Sequence, residues 1–256
     1  MVKNMKNNSN SLIRSLINRL CLWQKRQIGF RNEFNRFKML LSDSQRDDFR
    51  LTWEDRYPVL EDKTSTTSFD AHYIYHTAWA ARILQENNIT YHVDISSSLY
   101  FSSIVSAFIP VHFYDYRPAV LNLNQLDTSK ADILMLPFES DSIPSLSCMH
   151  VIEHIGLGRY GDPLDPNGDR KAMSELCRVI KPGGQLLFVV PVGKPAIRFN
   201  AHRIYDPLNI INDLPGMELS EFSCVLDSGE FYRRTDPTIC TNQDYACGMY
   251  FLKKYL

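Results

Sequence analysis

The stretch from Ala131 to Gly193 constrains the fold more than any other: ADILMLPFESDSIPSLSCMHVIEHIGLGRYGDPLDPNGDRKAMSELCRVIKPGGQLLFVVPVG. Ala131–Leu136 is a mostly apolar run of strand length, stopped by Pro137. Leu146–Ile152 is a second, bounded by Pro144 and Gly156. From Arg170 to Ile180 the period changes: Met173, Leu176 and Ile180 share one helical face, with Arg170, Lys171, Glu175 and Arg178 on the other. Lys181-Pro182-Gly183-Gly184 ends that helix, because proline cannot continue it and glycine accepts the turn. Leu186–Val190 is apolar at every position, which suits a strand covered on both faces. Strand, strand, helix, strand is the grammar of a parallel α/β sheet.

Three segments, in this order, resemble the second half of a class I S-adenosylmethionine-dependent methyltransferase. They are the turn carrying Asp132, Leu136, Pro137, Phe138 and Ser142, the HVIEHI segment from His150 to Ile155, and ELCRVIKPGGQLLFVVP from Glu175 to Pro191. The resemblance runs over roughly residues 70 to 254. It implies an α/β, Rossmann-like, doubly wound seven-stranded sheet, ordered 3-2-1-4-5-7-6 with the last strand antiparallel. It also implies S-adenosyl-L-methionine as cofactor. HVIEHIGLGRYGDPLDP and FNAHR are similar to a branch of the family that points to surface polysaccharide biosynthesis, and so to a small-molecule or glycan acceptor.

The rest of the chain supplies the missing elements. Ser68 or Asp70 caps a helix running to about Gln85. Tyr91–Ile95 and Val111–Asp115 are strands, with a helix over Leu99–Phe108 between them. A short helix over Pro207–Leu214 precedes strands at Met217–Leu226 and Tyr245–Leu252. Residues 69–256 therefore form the methyltransferase-like domain, and residues 1–68 a basic helical extension and linker. In residues 1–40, nine basic side chains oppose Glu33 alone, and Leu12, Ile13, Leu16, Ile17, Leu20 and Trp23 keep a helical period. Two readings stand: a solvated helix packed on the domain, or a peripheral contact with an anionic membrane through residues 11–41. Residues 42–68, acidic and then Ser/Thr-rich, read as a linker.

Composition narrows the function classes. The formal net charge is −1, and the domain has no basic aromatic groove, so no nucleic acid is expected as partner. The six cysteines include no C-x-x-C pair, and no apolar run approaches a membrane span, so a reduced, cytoplasmic chain is expected, peripheral at the inner membrane face in the second of those readings.

The resemblance assigns cofactor roles to Asp94 and Ser96 after the first strand, Asp115 on the ribose, Asp132 near the adenine amine, Leu136 and Phe138 as walls, and His150. The lesser alternative for Asp94 is a cap for the helix after it. The family's first turn is glycine-rich, whereas here it is Ser96-Ser97-Ser98. A methyltransferase fold that only binds or regulates is therefore the second reading. His150, His154 and His202 are the candidate catalytic bases. Glu153 and Tyr160, with Asn200 and Arg203 in a polar loop beyond the fifth strand, are candidates for the acceptor.

Three motifs invite other chemistries. His150-Val-Ile-Glu-His154 fits H-x-x-E-H, but zinc hydrolysis needs both histidines on one helix face, and Gly156 leaves no room for that helix. Gly156-Leu-Gly-Arg-Tyr-Gly161 fits G-x-G-x-x-G, yet Pro163 and Pro166 forbid the helix that should follow. It reads as a loop over the active site. Asp162, Asp165, Asn167 and Asp169 lack EF-hand spacing. No metal is expected.

Overall fold

The computed structural model describes residues 2–44 and 46–256; Leu12, Ile13 and Leu16 of the proposed apolar stripe have side chains outside the described set. The chain divides into two compact units, Met1–Ser68 and Phe69–Leu256.

The first unit is a single long helix, α1 (Val2–Asp43), with an irregular segment folded back along it. That segment is more than a linker. Trp53 packs against Phe30 and Phe34, with ring centroids 6.1 and 5.0 Å away. The guanidiniums of Arg31 and Arg56 lie over the same indole. Ion pairs Arg26–Glu61 and Lys63–Glu33 fasten the return. Ile17, Leu20 and Trp23 on α1 are exposed, and no described helix is long and apolar enough to cross a membrane.

The second unit is an eight-stranded sheet covered on both faces. Its elements are α2 (Ala71–Glu86), β1 (His92–Ile95), α3 (Leu99–Val105), β2 (Val111–Asp115), β3 (Leu126–Lys130), β4 (Ile143–Met149), α4 (Gly168–Val179) and β5 (Ile180–Val192). A hairpin, β6 (Ala196–Arg198) and β7 (His202–Ile204), comes next. Then follow β8 (Met217–Val225), β9 (Phe231–Tyr232) and β10 (Ala246–Lys254). The sheet order is β3-β2-β1-β4-β5-β10-β8-β9: parallel from β3 to β5, with β10 antiparallel between β5 and β8. These are the seven strands anticipated, in that order, with two-residue β9 added at one edge.

Alternation along β5 explains its unbroken apolar run. Leu186, Phe188 and Val190 pack with Met173 and Leu176 of α4, while Leu187 and Val189 meet Trp79 and Ile83 of α2 and Phe101 of α3. Asp70 caps α2 by accepting a hydrogen bond from the Tyr73 N–H.

Three expectations are corrected. The third strand is not Ala131–Leu136 but the polar Leu126–Lys130, an edge strand paired only with β2, which needs no apolar run. Residues 131–136 instead form a turn, with Ile133 and Leu136 buried. The strand expected to reach Ile152 stops at Met149, because His150 adopts φ +58 and Ile152–His154 is one 3-10 turn. The expected helix at Pro207–Leu214 is likewise only a 3-10 turn, Ile210–Asp213.

Candidate functional site

Two cavities open at the carboxyl ends of the parallel strands, where an open α/β sheet binds ligands. The first is a mainly apolar cleft of about 240 Å³ between the ends of β1, β2 and β4. Ser96, Asp115, Asp132 and His150 line it, with Ile133 and Leu134 as apolar wall. The second is a polar chamber of about 500 Å³ bounded by His72 and Tyr73 of α2, Glu153, His202 and Tyr245. Ser96, His150, His154 and Tyr160 line both, so the cavities meet there.

The first turn manages without glycine. Ser96 itself takes φ +55, and its N–H donates to the Tyr114 carbonyl at 2.8 Å. The Ser97 hydroxyl accepts from the Met149 N–H at 3.0 Å, which pins the turn to β4. Asp115, at the end of β2, uses one carboxylate oxygen to accept the Arg117 N–H at 2.6 Å. Asp132 does the same for the Leu134 N–H at 2.9 Å. Each acid is thus fixed by an Asx turn at the mouth of the cleft.

The glycine loop after β4 carries its own anion. The Asp162 carboxylate accepts N–H bonds from Gly156 at 2.7 Å and from Tyr160 at 3.2 Å. Donors that a nucleotide phosphate would need are occupied from within. Gly156 is required here, since it sits at φ +79 and a Cβ would lie 2.1 Å from the Asp165 carbonyl oxygen. Tyr160 is held over the junction between the guanidiniums of Arg117 and Arg159, 4.9 and 5.2 Å from its ring centre.

Five of the seven histidines gather around the chamber: His72, His76, His150, His154 and His202. Burial favours the neutral ring in each, bringing His72 and His150 down to about 4 and His76 to about 3. His154 and His202 are lowered for the same reason. His154 Nδ1 lies 2.6 Å from the Ala201 carbonyl oxygen, an acceptor only, and 3.2 Å from Arg159 Nη1, a donor only; the shorter contact requires the proton on Nδ1, with Arg159 satisfied by the same carbonyl at 3.0 Å, and leaves the lone pair on Nε2. Glu153, 1 % exposed, accepts from His150 Nδ1 at 2.9 Å and lies 3.9 Å from His154 Nε2. Its other oxygen has no partner, and burial pushes the acid up to about 7.

Of the residues assigned from sequence, Ser96, Asp115, Asp132, His150, His154, Tyr160, Glu153 and His202 come together at these cavities. Four do not. Asp94 is sealed beneath the turn, accepting from the hydroxyls of Ser102 and Ser147, and is raised to about 6 by burial. Leu136 lies in the core with its N–H on the Glu175 carboxylate, and Phe138 packs on Tyr114 below the cleft. Arg203 is a buried brace that donates to the Ile155 carbonyl at 2.6 Å and pairs with Asp169 at 3.3 Å. Asn200 is exposed at the tip of the β6–β7 hairpin.

H-x-x-E-H is no helix, and His150 and His154 share no candidate metal cluster among the described residues. Asp162, Asp165 and Asp169 are each occupied internally, by loop N–H groups, Lys171 and Arg203 respectively. Sequence reasoning missed His72, Tyr73, His76, Tyr245 and Cys247. The four-residue spacing of His72 and His76 on one helix was the available signal.

Solved structures similar to this chain show its fold. N-methyltransferase NodS from Bradyrhizobium japonicum, in complex with S-adenosyl-L-homocysteine, superposes with a TM-score of 0.53 at 14% identity, covering 85% of this chain and 97% of that one. The fold is that of the class I methyltransferases. The 1,6-didemethyltoxoflavin-N1-methyltransferase of Burkholderia thailandensis, with 1,6-didemethyltoxoflavin and S-adenosylhomocysteine bound, gives 0.50 at 9% identity over 71% of this chain and 79% of that one. The same methyltransferase fold is shared by the [4+2]-cyclase SpnF, at 0.50 and 12% identity over 70% and 82%. Residues 139–229 match a family described as Caenorhabditis protein of unknown function, DUF268. No curated protein sequence matches the chain.

Proposed function

We propose that the second unit is an S-adenosylmethionine-dependent methyltransferase acting on a hydroxyl or amine of a small-molecule or glycan acceptor. The observation that carries this reading is the junction of two unlike cavities, an apolar cleft with acids at its mouth and a polar chamber rich in imidazole. The cleft fits the cofactor: Asp115 has a carboxylate oxygen free for a ribose diol, Asp132 can accept from the adenine amine, and Ile133 and Leu134 offer an apolar wall. S-Adenosylmethionine, when bound, supplies a methyl group already activated as a sulfonium.

The chain's own work is then to hold the acceptor, exclude water and remove one proton. His154 lines the junction with Nε2 unprotonated, so it can take the acceptor proton there. Glu153, 3.9 Å away, favours the imidazolium that results. The faces of Tyr73, Tyr160 and Tyr245 beside polar edges suit a sugar ring.

Calorimetric titration with S-adenosylhomocysteine tests this. Micromolar binding is expected for the full chain, and Asp115→Ala should lower it at least tenfold with the fold intact. The second reading, a binding or regulatory protein, is favoured by the serine turn. Absence of heat at millimolar ligand from folded protein would select it.

A further inference from the structure

We propose that His72, His150 and Cys247 form a binding site for a zinc-type divalent transition metal at the floor of the polar chamber. One ligand atom from each lies within 4.8 Å of the other two. His150 Nε2 and Cys247 Sγ are 3.5 Å apart, close to the ~3.5 Å between two ligands of a tetrahedral zinc ion. His72 stands in the first turn of α2, partly exposed, its ring 5.7 Å from that of His150. Its remaining approach is a side-chain movement.

The groups around the three ligands are those a metal site uses. His150 Nδ1 is bound to Glu153, which directs Nε2 at the thiol and completes the carboxylate–histidine pairing that orients metal-ligating imidazoles. A thiol–imidazole hydrogen bond alone would account for Cys247 and His150 only. It leaves the Glu153 Oε2 and His76 Nε2 atoms buried and without partners, the second in a ring 5.1 Å from that of His150. Water or an acceptor oxygen on the ion's open position would give such groups a partner. Two imidazoles and a thiolate select zinc or cobalt over magnesium or calcium, which prefer oxygen. Three protein ligands with a fourth position toward a cavity is the pattern of catalytic zinc rather than structural zinc. Burial holds the Cys247 thiol protonated in the metal-free chain, so metal uptake releases a proton.

This inference goes beyond methyl transfer, and its test needs no S-adenosylmethionine. The full chain, carrying Cys21→Ser to remove the exposed thiol, is stripped with chelator and titrated with cobalt and then zinc. The expected result is one equivalent of cobalt, a thiolate-to-cobalt charge-transfer band in the near ultraviolet, and displacement by zinc. Cys247→Ser should abolish the band. His72→Gln, a change on a partly exposed helix face, should weaken cobalt binding at least tenfold and serves if Cys247→Ser fails to fold. Folded protein without the band, a band that survives Cys247→Ser, or unchanged affinity in His72→Gln would overturn the site.

Discussion

Glu153→Gln should make the protein more stable, and increasingly so as pH rises. The carboxyl is buried, one oxygen accepts from His150, the other is bare, and burial raises its pKa from 4.5 to about 7. Between those values the folded chain holds a proton that the unfolded chain has released. Rising pH therefore removes stability through this group. A gap of about 2.5 units at about 1.36 kcal/mol each makes the loss roughly 3 kcal/mol by pH 8. Glutamine has the same shape, carries no charge and can still accept from His150. Wild type and Glu153→Gln should thus match near pH 4.5 and separate by about 3 kcal/mol at pH 8, roughly 6 to 12 °C in thermal midpoint. His72, His76 and His150 act in the opposite sense, since their depressed values add stability as pH climbs from about 4 to 6.5. Their rise ends near pH 6.5, so the comparison between pH 6.5 and 8 isolates Glu153. Urea midpoints across this range are the assay. A difference that stays flat with pH, or a variant less stable than wild type at pH 8, would refute the reasoning.

Two further outcomes are expected. His154→Gln should lower the rate of methyl transfer by about 10²- to 10⁴-fold while leaving S-adenosylhomocysteine affinity within threefold; an equal loss of both, by kinetics and calorimetry, would make His154 a wall of the cofactor cleft instead. Arg203→Met strands the buried Asp169 carboxylate and should cost about 3–5 kcal/mol in urea unfolding, with part recovered by adding Asp169→Asn. No recovery in the double variant would mean that Arg203 acts mainly through the carbonyls of Ile155 and Asp165.

The sheet was legible wherever burial dictated residue type. Val111–Asp115 matches β2 to the residue, Asp70 caps α2, and the apolar run through Val190 lies in β5, because two covered faces or a helix start each leave a compositional mark. β3 was misplaced by about five residues for the converse reason: an edge strand reading LDTSK has little to bury. The site was half legible. Asp115 stands at the strand end where it was expected and Asp132 at the cleft mouth, although in a turn rather than at the start of a strand, whereas Asp94 could not be told from a buried acid with two serine partners. His72 and Cys247 belong to segments 175 residues apart, and only the folded sheet brings them together.

α2 carries two of the five chamber histidines, and it is fastened at its other end. Trp79 Nε1 donates to Glu221 of β8 at 3.1 Å, and Arg233 grips Glu86 with both bonds at 2.7 Å. His150 and His154, by contrast, hang from the parallel half of the sheet. His72 lies about 10 Å along the helix from Trp79, in a half that is also held from β9, where Tyr75 stacks on Phe231 with ring centroids 4.8 Å apart. A tilt of only about 5° would carry that imidazole about 1 Å, a displacement large enough to matter in a reacting site. The spacing of the chamber is thus set from the antiparallel margin of the sheet, by residues that never touch what the chamber holds.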